Sequence, residues 1–376
     1  MKVVICGNYG ATNLGDEAIL DGILSLIGNV DHGADITVLS ANPDDTMVRH
    51  EVKSEYLLPC GPRSFIKGLL GGHIGRTFKA IQDCDAFILG GGGLLSDEKM
   101  MAMVIWPLQA AFARLYKKPI FCLGQSVGPL QTFFGRMMAR NVFKKVLSAT
   151  VRDTKSQQVL HNLGVSMPPV LADPAFCVHV AGPLDSKREN LFFFSLRGWR
   201  VKENEAMYKY IAQLINWIWT EYGFKTVLVP FSEFPENDTV ILNNIFAQVA
   251  NPDAAEVLEY SGDYRKVIEL MKLCKAVIGM RLHSLIFATM TQTPFMALSY
   301  SDKVRNLTSD LEMDGYAFDW GKTNLDELKA GFKRLMQDYD RSALNLGEKN
   351  LLMRAKAHQH EELLRTFFNA AKKRSI

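Results

Sequence analysis

No sign of charge dominates this chain, which removes one class of function at the outset. Lys and Arg number 43 against 40 Asp and Glu, a net charge of +3. That is too little for a nucleic-acid binder driven by bulk electrostatics, although a local basic patch remains open. Cysteine is scarce too. The six residues (Cys6, Cys60, Cys84, Cys122, Cys177 and Cys274) form no CxxC pair, so neither a zinc site nor a redox motif is expected. Most sit in apolar runs such as Ile120-Phe121-Cys122-Leu123 and read as buried free thiols in a reducing compartment. Long apolar runs are missing as well, and nothing approaches the roughly 18 to 20 residues that a spanning helix needs. The opening Met1-Lys2-Val3-Val4-Ile5-Cys6 starts a strand at once, without the features of a signal peptide. The expected location is cytoplasmic. Repeats of solenoid period and low-complexity tracts are also absent.

What is there has an ordinary globular composition, 48% hydrophobic and 22% charged. At 376 residues the chain exceeds one compact core and suits two domains. Short apolar runs alternate with helical patterns, the signature of a parallel sheet covered on both faces. In the first half, strands are expected at Lys2–Gly7, Asp35–Leu39, Ala86–Leu89, Pro119–Leu123, Ala149–Val151 and Val170–Leu171. Helices fit at Gly15–Ile27, Ile105–Tyr116, Phe133–Leu147 and Lys155–Leu163. A polar stretch from Pro183 to Asn190 reads as a linker. Beyond it, strands are expected at Leu191–Leu196, Thr226–Pro230, Glu259–Tyr260, Ala276–Gly279 and Phe295–Leu298. The accompanying helices fit at Glu203–Tyr222, Asp238–Ala250, Asp263–Leu273 and Ser284–Met290. From Asn324 onward the chain is helix-rich, with a break expected over Ser342–Gly347. The expected organisation is α/β: domains at 1–183 and 190–345 facing a cleft, and a helical tail at 346–376, with ligands at the carboxyl ends of the strands.

Three glycine-rich loops follow strands of the first half. Gly7-Asn8-Tyr9-Gly10 leads through Asn13-Leu14-Gly15 into Asp16-Glu17-Ala18, so backbone N–H groups and a helix dipole could face an anion. The spacing fits neither a dinucleotide fingerprint nor a Walker A loop. A loop that merely turns is the plain alternative, with Asp16 and Glu17 as dipole partners. The others are Gly90-Gly91-Gly92-Gly93 and Gly124-Gln125-Ser126-Val127-Gly128-Pro129. Four consecutive glycines cost backbone entropy and point to close approach by a ligand or another backbone.

Cations mark the strand ends of the second half. Arg281 and His283, in Gly279-Met280-Arg281-Leu282-His283-Ser284, stand where a helix begins, an unfavourable place for positive charge that a nearby anion would relieve. Arg offers a fork for carboxylate or phosphate, and His exchanges a proton near neutral pH. Arg197 closes the run Phe192–Leu196, and Lys303 follows Ala297–Tyr300. Each reads alone as a solvated surface charge; together they suggest a strongly anionic small ligand.

These residues resemble the polysaccharide pyruvyl transferase family, in particular its bacterial members acting on cell-wall or surface polysaccharide precursors. The resemblance is carried by the three glycine loops, by Val151-Arg152-Asp153 and Ala172-Asp173-Pro174-Ala175, and by Ser195-Leu196-Arg197. Gly279–Ser284 and Leu298-Ser299-Tyr300-Ser301-Asp302-Lys303-Val304 complete it, in order, to about Leu311. It implies a fold similar to GT-B glycosyltransferases, two Rossmann-like domains, with phosphoenolpyruvate as donor and Arg197, Arg281, His283 and Lys303 around it. No cofactor and no metal are then expected, because the cations already neutralise the donor. His283 is the expected general acid. Asp16 is the expected group for orienting or deprotonating an acceptor hydroxyl, with Asn13, Gly91, Gly92 and Gln125 on the acceptor side.

The family's acceptor is often a lipid-linked sugar. Residues Arg63 to Leu70, continuing to Arg76 and Lys79, mix basic and apolar groups as an interfacial element would; a helix or loop over the core explains them equally well. Two rival functions share these features. One is a nucleotide-sugar glycosyltransferase, using Glu233 or Glu236 for the ribose; the other is a non-catalytic binder of glycans or nucleotides. The four cationic and proton-donating groups together speak against the last.

Overall fold

The computed structural model describes residues 1–61, 66, 68, 70–182, 188–198, 205–234 and 236–375. Contacts gather them into two units: residues 1–11, 16–178 and 353–376 in one, and residues 12–15 and 179–352 in the other.

The first unit carries β1 (Lys2–Cys6), α1 (Leu14–Val30), β2 (Asp35–Ser40), α2 (Pro43–His50), β3 (Lys53–Tyr56) and α3 (His73–Asp83). It continues with β4 (Ala86–Leu89), β5 (Gly92–Leu95), α4 (Ala102–Leu115), β6 (Ile120–Val127), α5 (Phe133–Phe143), β7 (Ser148–Val151) and α6 (Thr154–Asn162). The first residues of α1 group with the second unit. All paired strands run parallel, with β3, β2, β1 and β4 side by side. The long β6 pairs β4 through its first half and β5 through its second, and β7 lies along its other edge. Val3 to Cys6 and all of β6 are buried, as strands covered on both faces must be. The order reverses between β1 and β4, so the loops after those strands leave the sheet side by side at its carboxyl edge.

The second unit repeats this plan. It holds β8 (Leu191–Ser195), α7 (Glu205–Tyr222), β9 (Lys225–Leu228), α8 (Asp238–Phe246), β10 (Ala255–Val257) and α9 (Tyr264–Leu273). Then follow β11 (Ala276–Gly279), α10 (Leu282–Met290), β12 (Phe295–Ser299), α11 (Asp302–Asp310), β13 (Ala317–Asp319), α12 (Leu325–Gln337) and most of α13 (Tyr339–His358). The sheet order is β10-β9-β8-β11-β12-β13, again parallel throughout. Its reversal falls between β8 and β11. Phe192 meets Phe332 of α12 edge-on at 5.3 Å, whereas its neighbour Phe193 meets Phe231 at 6.3 Å. Successive side chains of a strand point to opposite faces, so both faces of β8 are covered, and each buried phenyl contributes about 1.5–3 kcal/mol.

The chain ends on the first unit. Helix α14 (His360–Ser375) stacks Phe367 on Phe121 of β6 at 5.3 Å. His360 is buried there, its Nε2 3.1 Å from the Ala172 carbonyl and its Nδ1 3.3 Å from Thr150. Burial pushes its imidazolium down to about 4.

Several expectations need correction. No strand forms at Glu259–Tyr260; the pairing with β9 falls earlier, at Ala255–Val257. Residues 342–347 do not break the helix. Ser342 donates its N–H to the Asp338 carbonyl at 2.8 Å inside α13, and a Cβ on Gly347 would stand 3.2 Å from the Gln292 side chain, so Gly347 answers to packing. Val170 makes an isolated bridge to Val151 and no strand. Strands β3, β5 and β13 and helices α2, α3 and α11 have no counterpart among the expected elements, and β6 runs on through Gly124–Val127, expected as a loop, because β5 and β7 both pair with it there. The expected linker and the start of α7 lie partly outside the described residues.

Candidate functional site

Arg197 and Arg281 emerge at the one place where the second sheet reverses. Ser195 ends β8 and pairs in register with Gly279, the end of β11, and the Met280 N–H donates to the Ser195 carbonyl at 2.9 Å. Both arginines therefore leave adjacent strands at the position where open α/β sheets take ligands. Each is held by a carboxylate from the segment entering α8. Arg281 grips Asp238 with two donors, Nε to Oδ2 at 3.1 Å and Nη2 to Oδ1 at 2.5 Å. Arg197 binds Glu236 through Nε and, at 2.7 Å, through Nη2, while its Nη1 donates to the Tyr300 hydroxyl at 2.7 Å.

The relief for positive charge at the start of α10 thus comes first from the protein. Arg281 is the N-cap of α10, and Asp238 is fully buried beside it, also accepting the N–H groups of Phe231 and Ser232 at 3.1 Å each. Burial pushes the Asp238 carboxyl up, with Arg281 opposing. Nη1 of Arg281 has no hydrogen-bond partner among the described residues. Neither α10 nor α11 has a side-chain hydrogen bond capping its N-terminus, and such ends attract anions. Their first turns carry His283 and Lys303. The hydroxyls of Ser195 and Ser301 are buried with no hydrogen-bond partner among the described residues.

Residues 12–15 join this unit. Asn13 bridges Ser232, and the Leu14 N–H donates to the Phe231 carbonyl at 3.0 Å. The Asn13 side chain accepts the Gly15 N–H at 3.1 Å. Gly15 lies against His283: a Cβ there would stand 2.0 Å from Nδ1 of the ring.

In the first unit the loops after β1 and β4 meet at the sheet's carboxyl edge, where the Gly90 N–H donates to the Cys6 carbonyl at 2.7 Å. Asp16 is buried and accepts from Asn8 Nδ2 at 2.7 Å. Burial, reinforced by Glu17 and Asp173, pushes its carboxyl up to about 6 against the opposing pull of Asn8 and Arg152. A Cβ on Gly92, whose φ is +97°, would stand 3.2 Å from Asp16 Oδ1, so a side chain there would crowd the carboxylate. Gly91 is buried, and Gln125 is fully buried. The Gln125 amide donates to the Gly90 carbonyl and, at 3.0 Å, to that of Leu89. Its amide therefore holds the glycine loop from beneath. Arg152 and Asp173 form a buried pair at 2.5 Å. Asp153 caps α6 by accepting the Ser156 N–H at 2.7 Å.

Sequence reasoning missed the partners. Asp238 appeared only as a helix start, although Asn237-Asp238 marks a buried carboxylate as readily as a cap. His50 was also missed. Its Nε2 lies 2.8 Å from Glu17 and its Nδ1 2.5 Å from Asp21, and Glu17 in turn accepts the Gly10 N–H at 2.8 Å. Most of the segment from Arg63 to Leu70 falls outside the described residues. Among those described, no helix is long and apolar enough to cross a membrane.

Two parallel α/β domains of Rossmann type place the chain in the GT-B-like class, and solved structures agree. HepE of Anabaena, in complex with UDP and glucose, aligns with a TM-score of 0.64 at 12% identity, covering 97% of this chain and 99% of its own. UDP-GlcNAc 2-epimerase from Neisseria meningitidis, bound to UDP-GlcNAc, gives 0.63 at 12% identity with the same two coverages. The chain belongs to the polysaccharide pyruvyl transferase family, whose model matches residues 13–302. It is a transferase of polysaccharide modification. The amylovoran biosynthesis protein AmsJ of Erwinia amylovora is 25% identical, over 85% of this chain and 88% of that protein.

Proposed function

We propose that the protein transfers the carbon skeleton of phosphoenolpyruvate, as a ketal, onto two hydroxyls of a sugar in a lipid-linked surface or cell-wall polysaccharide precursor, releasing phosphate. The observation that carries this reading is the Arg281 guanidinium. It is fixed on Asp238 by two N–H donors yet keeps Nη1 without a protein partner among the described residues, at the N-cap of α10. A planar fork so positioned suits a carboxylate or phosphate.

The chemistry assigns the remaining roles. C3 of the donor takes a proton from His283, which makes C2 an oxocarbenium-like electrophile. One sugar hydroxyl adds to C2, the C2–O bond to phosphate breaks, and the second hydroxyl adds. The two hydroxyls give up two protons: one balances the proton gained at C3, and the other leaves with phosphate. Arg281, Arg197 and Lys303 hold the anion and stabilise the departing phosphate. Asp16, titrating near 6, has the basicity to accept a hydroxyl proton near neutral pH. No cofactor enters this scheme.

The nucleotide-sugar alternative draws on the same fold. Of its two candidates for the ribose, Glu233 and Glu236, the second is already bound by Arg197.

The test is product analysis in D2O with phosphoenolpyruvate and sugars bearing free 4,6- or 3,4-diols. Stoichiometric phosphate and a deuterated ketal methyl group are expected. Ketal formation at the wild-type rate by His283→Ala would remove the acid assignment, and turnover of UDP-sugars in place of phosphoenolpyruvate would overturn the donor.

A further inference from the structure

The first unit exposes an apolar corner with a basic surround. Phe133, the first residue of α5, is 81% exposed, and Phe134 and Met137 of the same helix are exposed too. Met100 and Met101 are also exposed, the latter at 54%. Asp97 ties the two segments together, accepting the N–H of Thr132 at 2.6 Å and of Gln131 at 3.0 Å. Large apolar side chains gathered on a surface carry a cost in water and mark an interaction site.

Charge identifies the partner. The solvent face of α5 reads Phe133, Arg136, Met137, Arg140 and, one residue past its end, Lys144, all exposed, at the i, i+3, i+4, i+7 spacing of one helical face. Residues 131–147 contain no Asp or Glu. Among the described residues, the guanidinium groups of Arg136 and Arg140 bond only backbone carbonyls, those of Gln131, Thr132 and Leu163. Glu98 is the exposed acid nearby in sequence, and Asp97 is engaged by backbone. Aromatic and thioether groups beside uncompensated cations form the composition that lies in a headgroup layer, with apolar groups among acyl chains and cations at phosphates.

Position adds a reason. The corner follows the carboxyl ends of β5 and β6, the edge of the sheet from which the loops after β1 and β4 also leave.

We infer that this face of α5, with Met100 and Met101, docks the protein on an anionic lipid surface. The inference extends the lipid-linked acceptor proposed above to a docking surface. Its test reads vesicle binding and no turnover, so it stands or falls apart from the donor assignment.

The full chain is floated with vesicles of phosphatidylglycerol and phosphatidylcholine, and with phosphatidylcholine alone, at low and physiological salt. Binding is expected to the anionic vesicles and to weaken with salt. F133S/F134S is expected to lose at least about tenfold in partition, and R136Q/R140Q/K144Q about a hundredfold. Circular dichroism of both variants should match the wild type, and melting should fall only slightly, by the loss of the Arg136 and Arg140 bonds to backbone carbonyls and of the part-buried Phe134 ring; Leu344→Ser, exposed elsewhere, should bind unchanged. The inference is overturned if the wild type ignores anionic vesicles, or if both variants bind as the wild type does. It is overturned equally if light scattering shows a dimer that F133S/F134S abolishes while vesicles bind nothing, for the face then belongs to a second copy of the chain.

Discussion

Gly15 and His283, 268 positions apart in the sequence, touch so closely that the smallest side chain on one would collide with the ring of the other. A Cβ on Gly15 would stand 2.0 Å from His283 Nδ1. Gly15→Ala must therefore turn or push the imidazole. Displacing a reacting group by about 1 Å can cost a hundredfold in rate. The variant is expected to fold, to bind phosphoenolpyruvate within a few-fold of the wild type, and to lose about a hundredfold in kcat. Steady-state kinetics beside calorimetry separate the two quantities, and an unchanged kcat would detach His283 from the chemistry.

Asp238 neutralises Arg281 from a fully buried position. Replacing it with Asn leaves a largely buried guanidinium with only the more distant Glu236, 3.6 Å from its Nη2, as counter-charge, an expected loss of at most about 3 kcal/mol. Inorganic phosphate should then raise the melting temperature of Asp238→Asn more than that of the wild type, since the anion supplies what the carboxylate did. Equal shifts in the two proteins would argue that phosphate does not reach Arg281.

Asp16 should set an acid limb of the rate profile. Its folded value of about 6 lies above the usual carboxylate range, so the ionised form carries a cost in the folded state that grows as pH rises through the interval from about 4 to 6. Asp16→Asn is expected to be more stable than the wild type at pH 7.5, by about 3 kcal/mol at most, and to lose that advantage near pH 4. Its kcat/KM should fall steeply, whereas wild-type kcat/KM declines below pH 6. Denaturant melts at the two pH values and a pH–rate profile check both halves.

His50 should behave in the opposite way to a buried neutral histidine. Burial alone would push its imidazolium down, but hydrogen bonds and charge from Asp21 and Glu17 raise it above the ordinary value. Stability from this cluster is complete below the unfolded value near 6.5 and fades as pH climbs through the raised folded one. His50→Gln is therefore expected to destabilise the protein by about 3 kcal/mol at pH 6 and by less at pH 9. A gap that widens with pH would contradict the charged assignment.

Much of this was legible in the sequence, where the chemistry is local. Ala86–Leu89 and Ala276–Gly279 read as buried strands and form over those residues. The cations of the second half were placed at strand ends, and Arg197 and Arg281 do follow β8 and β11. What stayed hidden depends on partners distant in the chain. Strand β5, Gly92-Gly93-Leu94-Leu95, has almost no β-propensity of its own and exists because the second half of β6 offers it a ladder. The carboxylates on Arg197 and Arg281 lie 39 and 43 residues away, with no periodicity linking them. The return of α14 to the first unit is set by Phe367, His360 and their distant partners, and none of these forms a local pattern.

The most direct measurement is a calorimetric titration of the full chain with phosphoenolpyruvate, with UDP and a UDP-sugar in parallel, repeated on Arg281→Ala. Saturable binding of phosphoenolpyruvate, weakened at least about tenfold in the variant, is the expected result. Binding of the UDP ligands with none of phosphoenolpyruvate, or phosphoenolpyruvate binding untouched by the loss of Arg281, would contradict the proposed donor site.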